Sequence, residues 1–122
     1  MKPDQKQFRY ERGRDAHRDR QFESAVMYGK VKLGEDTLFW KEGFRQYAVD
    51  LKGVQRIYRQ IERVFGKLCC GGRTYDIQRI ILILADGAQL RVTIGDDMHM
   101  QAENLMEALK VAHPQIAYSK PA

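Results

Sequence analysis

The 122-residue chain predicts a mostly β domain that ends in a helix. Three observations carry this reading. From Ala25 on, short apolar runs are separated by turn residues, the texture of antiparallel strands. Two of those runs, RIILILA (79–85) and QLRVTIG (89–95), flank Asp86-Gly87, which supplies the positive φ angles of a tight primed turn. After them, Met98, Ala102, Leu105, Met106 and Leu109 recur at helical spacing. A chain of this length has room for one core and one domain.

Residues 1–24 read as an arm. They mix seven Lys/Arg with five Asp/Glu, and Phe8, Tyr10 and Phe22 are their large apolar groups. Such a segment is expected to be flexible or partly helical and to bury little by itself. Its interleaved Asp15, Asp19 and Glu23 dilute any attraction to phosphate. The domain proper spans 25–113, and 114–122 is a tail. VMYGKVKL (26–33) is the first strand, Gly34-Glu35-Asp36 a turn, TLFWKEG (37–43) the second strand and FRQYAVDL (44–51) the third. In the helix from Asp97 to about Ala112, Asp96 or Asp97 is placed to cap the N-terminus, and His113-Pro114 to end it.

Residues 51–68 admit two readings. Leu51, Val54, Ile57, Tyr58, Ile61, Val64, Phe65 and Leu68 match a 3.6-residue period, with Lys52, Arg56, Arg59, Arg63 and Lys67 on the other face. That gives an α+β alternative with an additional, basic helix at about 52–68. Against it, IYRQIERVF is rich in β-branched and aromatic residues and lies between strands.

Composition narrows the function classes. The chain is 43% hydrophobic and 30% charged, which excludes a disordered, collagenous or membrane-embedded chain. The longest aliphatic run, IILILA (80–85), is far short of the roughly 18 residues of a membrane span. MKPDQKQFRYERGR at the N-terminus holds no apolar stretch, so a cytoplasmic location is expected. The net charge of +5 is uneven: residues 44–85 carry eight Lys/Arg against three Asp/Glu, whereas 86–122 carry three against five. Anionic partners are permitted by this balance without being required.

Few residues look like chemistry. Cys69 and Cys70 are adjacent; consecutive α-carbons lie about 3.8 Å apart, below the roughly 4.4–6.8 Å of disulfides. An extended pair would also point to opposite faces, so the two thiols do not jointly hold a metal. KLCCGG is therefore expected to turn the chain, with one thiol buried and the other facing Gly71-Gly72. His17, His99 and His113 are scattered, and capping accounts for the carboxylates of Asp96-Asp97-Met98-His99. No phosphate loop, nucleophile elbow or metal-ligand spacing is present, so no enzyme, cofactor or metal site is expected. Phe39 and Trp40 fall on opposite faces of a strand; one fills the core, and Trp40 is a candidate apolar contact. The basic set Arg45, Lys52, Arg56, Arg59, Arg63, Lys67 and Arg73 is the candidate surface for an anionic partner. As a helix these groups form one stripe. As a strand, Arg59 and Arg63 share a face with Ile57 and Ile61, and the stripe dissolves.

The order of elements over about the last four-fifths of the chain, with AVDLKGVQRIYRQIERV and IILILADGAQLRVTIGD as the most similar stretches, resembles the pleckstrin-homology-like (PH-like) fold, especially small bacterial PH-like domains. The resemblance implies a partly open barrel of two antiparallel sheets plugged at one end by Leu105, Met106 and Leu109. It makes 54–65 a strand and KLCCGGRTYDIQ the connection to the next. It also implies a binding module for phosphoinositides, peptides or other proteins rather than a catalyst. Phosphoinositide recognition is disfavoured, because the turn after Lys30 and Lys32 is the short, acidic Gly34-Glu35-Asp36. The expected function is protein or peptide interaction, or self-association through an exposed strand edge. The alternative is binding of nucleic acid or an anionic membrane through segment 45–73.

Overall fold

The computed structural model describes residues 5–68 and 71–120. Seven strands make two antiparallel sheets. The first has the order β1-β2-β3-β4, from β1 (Val26–Tyr28), β2 (Val31–Leu33), β3 (Thr37–Glu42) and β4 (Arg45–Asp50). The second has the order β5-β6-β7, from β5 (Val54–Leu68), β6 (Gly71–Leu84) and β7 (Gln89–Asp96). Among the described residues two α-helices, α1 (Ala16–Ser24) and α2 (His99–Ala112), and two short 3-10 turns, Gln5–Phe8 and Leu51–Gly53, complete the fold. The predicted class is therefore observed: mostly β, two antiparallel sheets, one C-terminal helix. Among the described residues no strand of one sheet pairs with the other, so no barrel closes.

The expected first strand is instead a hairpin. Gly29 sits at φ +61, where L side chains are strained, and a Cβ there would overlap the carbonyl oxygen of Ile94. This glycine lets the β1–β2 turn come down on β7, where the Lys30 amide donates to Ile94 O at 2.8 Å. At the opposite end, Leu51 N donates to Asp36 O (2.9 Å) and Ala85 N to Gly53 O (3.0 Å). The Lys30–Ile94 bond ties one sheet to the other, whereas the last two extend the β3–β4 and β5–β6 pairs on either side of residues 51–53, which join the sheets.

Alternation along each strand supplies the core. Leu38, Trp40 and Val49 face inward from the first sheet, and Ile57, Ile80, Leu82, Leu90, Val92 and Ile94 from the second. Ala102, Leu105 and Leu109 of α2 are fully buried against them, with Met106 nearly so. Truncating such a leucine to alanine costs about 2–5 kcal/mol, so α2 is an integral part of the core.

The N-terminal arm packs on the outer face of the first sheet. Phe39 and Ala48 point away from the core, and Tyr10 and Phe22 cover them in a second apolar cluster. The rings of Tyr10, Phe22 and Phe39 lie 5.2 Å apart, pair by pair. Asp15 caps α1 by accepting from His17 N and Arg18 N, and buried Gln21 accepts from Asp36 N at 2.9 Å. Three aromatic rings in contact thus outweigh the segment's charged composition. They also decide the fate of the aromatic pair: Phe39 is covered by the arm, and Trp40, 1% exposed, stacks on Tyr47 inside the core. Trp40 is not an apolar contact surface.

Candidate functional site

Residues 54–68 form a strand, as the β reading expects, and β5 and β6 then run far past β7. Residue by residue, β5 pairs with β6 from Val54–Leu84 to Leu68–Gly71, whereas β7 leaves β6 at Ile77–Asp96. KL and GGRTYDIQ, expected to connect the strands, belong to them; the connection is two residues long, and Cys69 and Cys70 lie outside the described residues. Pairing continues because cross-strand hydrogen bonds satisfy the backbone without a third strand. Residues 64–68 and 71–75 thus make a two-stranded arm of about 17 Å, at roughly 3.3 Å per residue.

Both faces of the arm and its root carry apolar groups. Ile61, at the root opposite Gln78, and Phe65, on the arm, lie on the face that continues the core and are 48% and 62% exposed. The Phe65 ring lies over Gly72, and a Cβ at Gly72 would overlap it. On the other face Val64 lies opposite Tyr75, and Glu62 pairs with Arg79 across the strands.

The outer edge of β5 is covered at its base by the chain's own tail. Ile57 N donates to Ala117 O (2.9 Å), Ala117 N to Gln55 O (3.0 Å), and the Arg56 guanidinium to Ser119 O and Oγ (2.6 and 2.9 Å). Buried Ile116 and the Tyr118 hydroxyl, which donates to Leu109 O and His113 O, hold the tail in place. From Tyr58 onward, among the described residues, no strand pairs with this edge. A hollow of about 350 Å³ lined by Arg59, Glu103, Met106 and Tyr118 opens beside the stretch where the tail stops.

A polar network secures the arm's root. Arg63 Nε donates to Asp76 Oδ1 at 3.0 Å, and His99 Nε2 lies 3.3 Å from Asp76 Oδ2. Gln78, fully buried, places its amide nitrogen 3.1 Å from His99 Nδ1 and accepts from Arg59 Nε at 3.0 Å. Because Gln78 and the Arg59 guanidinium both present donors to Nδ1, that nitrogen accepts, and Nε2 carries the proton donated to Asp76. The hydrogen bond from Arg63, with its charge and His99, holds the Asp76 carboxyl below the ordinary carboxylate range despite burial.

Asp97 does not cap α2. Met98 stands at the N-cap with no side-chain bond. Asp97, at φ 55, accepts from Asp76 N (2.8 Å) and donates its own amide to Asp76 O (2.6 Å), tying the turn to the arm's root. Asp tolerates this left-handed conformation better than most residues. Asp76, Asp97 and His99 bring one ligand atom each within 4.8 Å of one another, but Arg63 takes one oxygen of Asp76 and its charge opposes a cation there. Both nitrogens of His99 are engaged, one by Asp76 and the other by Gln78. The network braces the arm against α2.

The predicted basic set is dispersed. Arg45 is exposed on β4, Lys52 lies in the turn before β5, and Arg56 bonds the tail. Arg59 and Arg63 share the inner face of β5 with Ile57 and Ile61, as the strand reading implies. The side chains of Lys67 and Arg73 lie outside the described residues. A shallow hollow of about 320 Å³ lined by Arg9, Arg14 and Arg18 also contains Glu11 and Asp15, which offset much of its charge. Sequence reasoning missed Asp76 and Gln78, and it read Asp97 as a helix cap rather than as the partner of the Asp76 amide. The available signal was YDIQRIILIL: two polar residues spaced by two, on the strand face that Ile80 and Leu82 fill with core.

No protein-family model, curated protein or solved structure matches the chain.

Proposed function

We propose that this chain is a non-catalytic PH-like binding module whose partner is a protein or peptide segment taken on the β5 edge and the arm. One observation carries the reading: Ile61 at the arm's root and Phe65 on the arm are exposed along an edge of β5 that, among the described residues, no strand pairs from Tyr58 onward. A two-stranded ribbon is only marginally stable in water. An open edge presents unpaired amides and carbonyls that template a further strand. Edge strands are often protected by charged side chains, but Arg59 and Arg63 turn across the sheet to Gln78 and Asp76 rather than guarding the edge. Dispersal of the arginines over several elements argues against a phosphate-dominated interface, which gathers them on one face.

Co-purification of the full-length protein from its native host, beside an Ile61→Lys/Phe65→Lys variant, tests this. The expected result is a protein partner retained between roughly 50 and 200 mM salt and lost in the variant. Nucleic acid or lipid retained by both proteins and released by salt would overturn it.

A further inference from the structure

The arm offers more than an open edge, because its residues define what can lie beside it. Resting on the reading above, we infer that the partner segment is an extended strand of another protein with the pattern apolar-x-acidic-x-apolar, its acidic residue opposite Arg63.

The pattern follows from the face that β5 presents. A strand added beyond the tail meets, on the inner face, Arg59, Ile61, Arg63 and Phe65 in alternation. Side chains directly opposite across two strands are about 5 Å apart, so Ile61 and Phe65, both largely exposed, each call for an apolar neighbour. The arginines between them differ. Arg59 is 23% exposed, bonds Gln78 and has Glu103 at 3.9 Å, with Glu107 also lining the adjoining hollow. Its charge is balanced within the chain. Arg63 is 75% exposed and meets Asp76 through one face of its guanidinium, leaving further donors to solvent. A partner carboxylate therefore fits at Arg63.

The same residues argue against a second copy of this chain on the edge. A two-fold axis between two antiparallel β5 strands sets one residue opposite its own copy and pairs positions of equal parity. Centred on Ile61 it opposes Arg59 to Arg63; centred on Glu62, Glu62 to Glu62; centred on Arg63, Arg63 to Arg63; centred on Val64 no like charges meet, but Phe65 falls opposite Arg63 and Ile61 opposite Lys67, so neither apolar group gains an apolar neighbour. Like charges directly opposite are destabilising. Centring on Gln60 would run the pairing into the tail at Ile57, which is already occupied.

The test uses the full-length protein and a fluorescent probe, Thr-Val-Thr-Asp-Thr-Val-Thr-Asp-Thr, beside a twin with Lys for each Asp. Polarisation titrations at moderate salt are expected to show the Asp probe binding about tenfold more tightly than the Lys twin, from two reversed cross-strand charges. Arg63→Gln should cut that preference about threefold, and Phe65→Ser should weaken both probes. The probe comparison needs no variant to fold. Equal affinity for the two probes, with both lost in Phe65→Ser, overturns the acidic pattern while leaving the arm as the docking surface. Arm-dependent dimerisation in sedimentation, with neither probe bound, overturns it in favour of a second copy. Binding of the probes that Phe65→Ser leaves unchanged overturns both readings.

Discussion

Phe65→Ala should unravel the arm without weakening the domain. Phe65 is 62% exposed, so the remaining 38% of its surface (100 − 62) is covered, by Gly72 beneath the ring among others. Full burial of a phenylalanine stabilises by about 1.5–3 kcal/mol, so the covered fraction is worth roughly 1 kcal/mol. An aromatic over a strand glycine shields backbone that has no side chain of its own. Because, among the described residues, β7 does not pair with β6 beyond Ile77, that loss falls on local opening of residues 64–68 and 71–75, raising it about fivefold. Hydrogen exchange read by mass spectrometry on peptides spanning 62–76 measures this directly, with peptides from β3 and β4 as the internal reference. The melting temperature should stay constant, whereas the same loss spread over the whole domain would lower it by about 4 °C. A drop of that size, or unchanged exchange in the arm, would refute the picture of a locally stabilised ribbon. Gly72→Ala should give the same phenotype, because the new Cβ displaces the ring.

Further outcomes follow from the same geometry. Gly29→Ala and Gly43→Ala both place alanine at φ +61, but only the first meets backbone; Gly43 has open space. Gly43→Ala should cost about 1 kcal/mol and Gly29→Ala clearly more, measured as the difference between two denaturant midpoints. Asp76 has a lowered folded pKa, so its stabilisation is complete above about pH 4 and disappears as pH falls through the lower folded value; the melting-point gap between wild type and Asp76→Asn should close under acid. Tyr10, through burial and its hydrogen bond to Asp19, and Tyr118, through burial, are both pushed up to about 12. Stability tied to these neutral phenols is full below about pH 10 and lost as pH rises toward the folded values. Absorbance near 295 nm should show two late-titrating tyrosines, and Asp19→Asn should bring Tyr10 earlier.

Much of the fold was legible because local chemistry and tertiary structure agree. Asp86-Gly87 falls in the β6–β7 turn, as expected, but not as a primed pair: Gly87 alone has a positive φ, and Leu84 N donates to Ala88 O around a three-residue loop; Leu105 and Leu109 face the core that their spacing implies. Where the two levels diverge, the cause is a contact across a long sequence gap. Tyr10 and Phe22 find Phe39, Gly29 reaches Ile94, and Asp97 is diverted from capping α2 by the amide of Asp76, 21 residues earlier. No window of a dozen residues contains those partners. The root network was illegible for the same reason: Asp76, Gln78 and His99 come from two elements joined only by the fold.

The helical period of residues 51–68 has a different origin. Ile57, Ile61 and Phe65 are four apart, the spacing of a helix stripe, yet on a strand four residues are two steps along one face. The positions between them are Arg59 and Arg63, so the inner face of β5 alternates apolar and basic groups, while Tyr58 and Val64 add apolar groups on the other face. Superposed, the two faces mimic a 3.6-residue repeat. A strand committed to the core would show a run like IILIL, and a strand exposed to water would show polar residues throughout one face. β5 does neither from Ile61 onward, because among the described residues Ile61 and Phe65 stay exposed and its side chains are not those of a surface left to solvent. The ambiguity between helix and strand therefore comes from the very face on which the proposed partner would sit: under that proposal, a face half apolar and half cationic meets its complement in an added strand that is half apolar and half acidic.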